Sequence, residues 1–123
     1  MLEGTKVVVT GGAGYIGSVL VPMLLNEGCE VTVVDSFYFN QATLLDSCMN
    51  PRFHVVRGDV RNEELMKRVI EGVDYIIPLA AMVGFPLCKA DEVAAQTTNQ
   101  DAIEMLLRIR KPEQRVIYPC TNS

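Results

Sequence analysis

The chain has 123 residues, enough for one domain with a real core and few for a complete enzyme with a substrate domain. An apolar share of 49% argues against disorder. A net charge of −4 with no Lys/Arg block argues against nucleic acid or an anionic membrane as the main partner. No leader pattern opens the chain, and no apolar run approaches the roughly 20 residues of a membrane span. The cysteines Cys29, Cys48, Cys88 and Cys120 are scattered, and His54 is the one histidine, so no metal site is expected. A soluble, cytoplasmic protein is the expectation.

Lys6-Val7-Val8-Val9 opens as a first strand and runs into Thr10-Gly11-Gly12-Ala13-Gly14-Tyr15-Ile16-Gly17. Residues 15–27 read as a helix closed by Gly28, with Pro22 deleting one backbone bond, to the Ser18 carbonyl, and predicting a local kink. Residues 30–35, Glu30-Val31-Thr32-Val33-Val34-Asp35, form the second strand. A loop follows over 36–50, with a short helix from Gln41 to Cys48 before Pro51. Phe53 to Arg57 is a third strand ending at Gly58-Asp59. Asn62, with Glu63 and Glu64 behind it, starts a helix that ends at Gly72. The near-continuous apolar run Asp74 to Leu79 predicts a strand buried on both faces. A loop over 80–90 leads to a long helix, Asp91 to Arg110, with Asp91 as N-cap, and Arg115 to Tyr118 is a fifth strand.

Strands alternating with helices predict an α/β fold, a Rossmann-type doubly wound parallel sheet of five strands in the order 3-2-1-4-5. The order reverses beside strand 1, so a ligand crevice is expected at the C-terminal ends of strands 1 and 4.

Strand, Gly-x-x-Gly-x-x-Gly, helix, strand and acid, in that order, are what a dinucleotide requires. Gly11 allows the tight turn, Gly14 lacks a Cβ where a pyrophosphate would press, and Gly17 lets the helix sit close on the sheet. Asp35 is placed to take a ribose hydroxyl pair. A purely structural Gly-rich turn is the bland counterpart. A methyltransferase also pairs a glycine loop with an acid, but usually with tighter glycine spacing and without Leu79-Ala80-Ala81 after strand 4. A P-loop kinase is excluded, because no Gly-Lys-Ser/Thr follows the glycines.

Together, the glycine run, Asp35, Gly58-Asp59-Val60, Leu79-Ala80-Ala81, Asn99 and the ending Pro119-Cys120-Thr121-Asn122-Ser123 resemble the extended short-chain dehydrogenase/reductases. Within that family the chain is similar to the NAD-dependent nucleotide-sugar epimerases and dehydratases. The resemblance implies NAD as cofactor, with the amides of Tyr15 and Ile16 on the pyrophosphate and Asp35 on the adenosine ribose. It implies Asp59 and Val60 around the adenine, the Asp59 carboxylate accepting from the exocyclic amine. Leu79, Ala80, Ala81 and Asn99 fall on the nicotinamide side, and Thr121 is where a Ser/Thr binds the sugar oxygen. Asp59 as an ordinary strand-ending residue, Ala80-Ala81 as small packing and Asn99 as a solvent-facing helix residue are the alternatives. Cys120 stands where Ser is more usual and reads as packing, and His54 as a structural or surface residue.

The family's proton-transfer pair, Tyr-x-x-x-Lys, is not among these residues: Tyr15, Tyr38, Tyr75 and Tyr118 are followed at that distance by Val19, Ala42, Leu79 and Asn122. The expectation is therefore a truncated sheet, residues 1–123 being the NAD-binding N-terminal part of a larger enzyme whose nucleotide-sugar region is absent. Such a chain is expected to have no turnover by itself and to pair into a homodimer along its fifth strand. A non-catalytic NAD(H)-binding or redox-sensing module is the alternative.

Overall fold

The computed structural model describes residues 3–11, 15–35, 49–79 and 101–118. In chain order these form β1 (Lys6–Thr10), α1 (Tyr15–Asn26), β2 (Glu30–Asp35), β3 (Phe53–Arg57), α2 (Glu63–Val69), β4 (Tyr75–Pro78), α3 (Ala102–Ile109) and β5 (Arg115–Val116). The sheet order is β3-β2-β1-β4-β5, with every pairing parallel, as the alternation of strands and helices predicts.

Successive strand residues face opposite sides of the sheet, so the valine runs feed two cores. On one face, Val7, Val9, Val31, Val33 and Ile77 pack with Val21 and Leu25 of α1. On the other, Val8, Val34 and Ile76 pack with Met66 and Ile70, and with Ala102, Met105 and Leu106 of α3. Helices on both faces explain why the central strands have no polar face. The outer strand β3 buries only Phe53, and its exposed His54 and Arg57 present charge-bearing side chains at the sheet margin.

Local signals set the boundaries. Pro22 lies inside one continuous helix, α1, which it does not divide. Gly28 (φ +88°) ends that helix: its N–H donates to the Leu25 carbonyl at 3.0 Å and the Cys29 N–H to the Leu24 carbonyl at 3.1 Å. This is a Schellman closure, for which the left-handed glycine is the natural residue. Asn62 caps α2, its side-chain oxygen accepting the Leu65 N–H at 3.2 Å, with Glu63 and Glu64 in the first turn and Lys67 and Arg68 in the last.

The structure shortens three expected elements. β4 begins at Tyr75 and ends at Pro78, and β5 pairs through only two residues, with the Ile117 N–H still donating to the Ile76 carbonyl at 2.9 Å. α3 stops at Ile109, because Arg110 is already extended (ψ 153°) ahead of Pro112. The proposed N-cap Asp91 and the short helix 41–48 lie outside the described residues.

Gln114 joins α2 to the loop before β5. Its buried amide nitrogen donates to the Ile70 and Val73 carbonyls, and its Oε1 accepts the Lys111 N–H at 3.0 Å. No sequence periodicity points to it.

Candidate functional site

At the C-terminal edge of the sheet the chain leaves β1 through Gly11 (φ +71°), in the left-handed region that glycine enters without a Cβ penalty. The Gly11 N–H donates to the Val34 carbonyl at 2.8 Å, so the turn hugs β2 before α1 begins at Tyr15. Gly17 is buried in the first turn of α1. Ile16 points away from the core and is 53% exposed, so it offers the site its main chain rather than its side chain. The first turn of α1 carries no acidic residue, which leaves the positive end of the helix dipole uncompensated at the crevice.

Asp35 is the last residue of β2, and its carbonyl accepts the Gly58 N–H at 3.1 Å. That bond carries the β2–β3 ladder one step further and brings Asp59 to the same edge. On the other side, the Leu79 N–H donates to the Thr10 carbonyl at 2.8 Å and aligns the end of β4 with the start of the glycine loop. Gly11, the Ile16–Gly17 backbone, Asp35, Asp59 and Leu79 therefore converge on one edge, as the strand-order argument predicts. Tyr15 begins α1 there. Gly14, Ala80, Ala81, Asn99, Thr121 and Cys120 lie outside the described residues.

The surroundings of Val60 and Asp59 differ from each other. Val60 does not present its side chain to the crevice: it is 7% exposed and packs in the core with Val34 and Met66. What it keeps is its backbone N–H, which has no acceptor among the described residues. Asp59 pairs within its own turn. Its Oδ1 accepts the Arg61 N–H at 2.8 Å, and Arg61 Nε lies 2.9 Å from each carboxylate oxygen, with Nη2 closing on Oδ2. The Arg61 guanidinium holds the Asp59 carboxyl below its usual range, against a smaller opposing effect of burial.

Pairing exposes a further residue that the sequence pattern passes over. Asp35 lies in register with Arg57 on β3, so a cation stands on the neighbouring strand although Ser36, Phe37 and Tyr38 supply none. Arg61 was legible in principle, since Asp-x-Arg before an N-cap Asn is the spacing of an Asx turn. Arg57 required knowledge of the register.

The remaining candidates lie elsewhere. His54 Nε2 sits 2.9 Å from Glu30 Oε1, an exposed pair away from this edge. Cys29 is buried, and desolvation raises its thiol pKa, which keeps it an unreactive thiol. A shallow depression near Glu3, Asp74, Glu113 and Arg115 opens at the N-terminal end of the strands, opposite the glycine turn. No helix among the described residues is long and apolar enough to cross a membrane.

The model of the NAD dependent epimerase/dehydratase family matches residues 7–122. UDP-glucuronic acid decarboxylase 1 of Arabidopsis thaliana is 42% identical over 120 residues, which are 96% of this chain and 26% of that protein. Among solved structures, UDP-glucose 4-epimerase from Bifidobacterium longum, in complex with NAD+ and UDP, superposes with a TM-score of 0.82 at 28% identity. That match covers 96% of this chain and 37% of the epimerase. The dTDP-glucose 4,6-dehydratase of Streptomyces venezuelae, with NAD and TYD bound, gives a TM-score of 0.79 at 34% identity, covering 85% of this chain and 35% of the dehydratase. The chain thus spans between a quarter and two-fifths of the length of these relatives. Its Rossmann-like sheet, its glycine turn and a family match over nearly all its length agree, and the chain belongs to the NAD-dependent epimerase/dehydratase family.

Proposed function

We propose that the chain is the NAD-binding part of a nucleotide-sugar epimerase/dehydratase-type oxidoreductase, acting by transient hydride transfer between the sugar and NAD. The observation that carries this reading is the convergence of Gly11, the α1 N-terminus, Asp35 and Asp59 on one sheet edge. The chemistry of that edge fits a dinucleotide. The α1 amides face the place of a pyrophosphate without a competing acid, and Asp35 supplies two acceptors for a ribose diol. The Asp59 carboxylate and the Val60 N–H, which has no acceptor among the described residues, present an acceptor and a donor side by side, complementary to the amine and ring nitrogen of adenine.

When bound, the nicotinamide supplies the hydride chemistry, and the protein supplies orientation and proton transfer. In this proposal Leu79, Ala80, Ala81 and Asn99 border the nicotinamide half, and Thr121 hydrogen-bonds the sugar oxygen. With a hydroxyl pKa far above neutrality, Thr121 orients that oxygen but is not the base that deprotonates it.

NAD is expected to bind more tightly than NADP. A 2′-phosphate beside the Asp35 carboxylate sets like charges against each other in a partly dry crevice. Removing that carboxylate leaves Arg57 in register at the same edge, so Asp35→Ala should both weaken NAD and narrow the discrimination. Isothermal titration of both dinucleotides into both proteins measures this; equal wild-type affinities sink the assignment of Asp35.

A homodimer is also proposed, by pairing along β5, beside which Ile117 and Tyr118 are each about half exposed. Sedimentation at tens of micromolar should show the dimer, and a clean monomer removes this proposal.

A further inference from the structure

The Asp59–Arg61 pair stands at the adenine end of the proposed site, yet no role in the cofactor reading belongs to Arg61. Its guanidinium approaches both carboxylate oxygens through Nε and Nη2, while its own backbone N–H donates to Oδ1. A carboxylate gripped by a planar fork loses its rotational freedom and presents its remaining acceptor capacity in one direction. The turn beneath it is fixed as well, because the Asp59 carbonyl accepts the Asn62 N–H at 3.0 Å and Asn62 caps α2.

The electrostatic setting gives the pair a second consequence. Asp35 ends β2 and Asp59 follows two residues after the end of β3 at the same edge, the two strands being linked there by the bond from the Gly58 N–H to the Asp35 carbonyl. In the open crevice, water screens the two carboxylates from each other. A ligand lying across both displaces that water, and like charges then cost more. A cation locked on one of them offsets that cost without occupying the whole of its acceptor surface.

We propose that Arg61 is a positioning residue for adenine recognition: it aims the Asp59 carboxylate at the exocyclic amine and balances its charge against Asp35 when a dinucleotide covers the edge. This rests on the cofactor reading proposed above. The depressed Asp59 pKa agrees with it, since the carboxylate remains an acceptor in acidic solution.

The test compares NAD with nicotinamide hypoxanthine dinucleotide, in which a carbonyl replaces the amine, on the wild-type chain, Arg61→Ala and Arg61→Lys. A hydrogen bond to a charged group corresponds to a preference on the order of tenfold or more, so the wild-type chain should prefer NAD by about that factor. Arg61→Ala should lose most of that preference by weakening NAD while leaving the hypoxanthine analogue nearly unchanged. Arg61→Lys, which restores the charge but not the fork, should recover only part of it. Thermal unfolding of each variant checks that the turn survives. If Arg61→Ala weakens both dinucleotides equally, or neither, this inference fails while the cofactor reading stands. If the wild-type chain binds neither dinucleotide, the cofactor reading fails and takes the inference with it.

Discussion

Gly14→Val is expected to abolish measurable NAD binding while the protein still unfolds cooperatively. The second glycine of the Gly-x-x-Gly-x-x-Gly run is where a backbone must approach a pyrophosphate, and an isopropyl group there fills the space that two phosphates need. Valine is tolerated by the fold so long as the local φ is negative, and it even has a better helix propensity than glycine. Gly11→Val makes the contrast. At φ +71° a β-branched residue is forced into the left-handed region, at a cost of about 1–3 kcal/mol, so this variant should lose stability as well as binding. Calorimetric titration alongside urea unfolding separates the two effects. A folded Gly14→Val protein that binds NAD with wild-type affinity makes the loop a structural turn and removes the basis of the proposed function.

Gln114→Ala should be among the most destabilising single truncations outside the apolar core. One buried amide serves the Ile70 carbonyl, the Val73 carbonyl and the Lys111 N–H, tying groups 44 residues apart in the chain. Alanine strands the Val73 carbonyl and the Lys111 N–H and leaves the Ile70 carbonyl with only the Val73 N–H, and because the position is 2% exposed, water does not readily replace the lost partners. A loss of about 2–3 kcal/mol is expected. For a domain of this size that corresponds to a fall of roughly 10 °C in Tm. Gln114→Glu keeps the acceptor for Lys111 but sets a carboxylate against two carbonyls, so it should not rescue. A shift of less than 2 °C in either variant would mean that water or a neighbouring side chain takes over these bonds.

The architecture was legible because its signals are local and repeated. Valine runs too apolar for a one-sided sheet imply helices on both faces, as the two cores around Val8 and Val9 bear out. Gly28 and Asn62 mark helix ends through single-residue preferences that need no tertiary context. Right-handed crossovers then leave little choice of strand order, and the strand order places the crevice.

The parallel sheet, its β3-β2-β1-β4-β5 order and the tight turn at Gly11 thus follow from the order of residues along the chain. The direction in which individual side chains turn once a strand has ended depends on packing across the whole fold. Past Arg57 the two-residue alternation no longer applies, and the turn into α2 sends Val60 into the core while closing Asp59 onto Arg61. Likewise, Arg57 stands beside Asp35 through the register of two strands joined by a long connection, and Gln114 serves carbonyls that lie far from it in the chain. Propensities act over a few neighbouring residues, whereas a side chain's partner is set by whatever packing brings within about 3 Å, and that distance exists only in the folded chain.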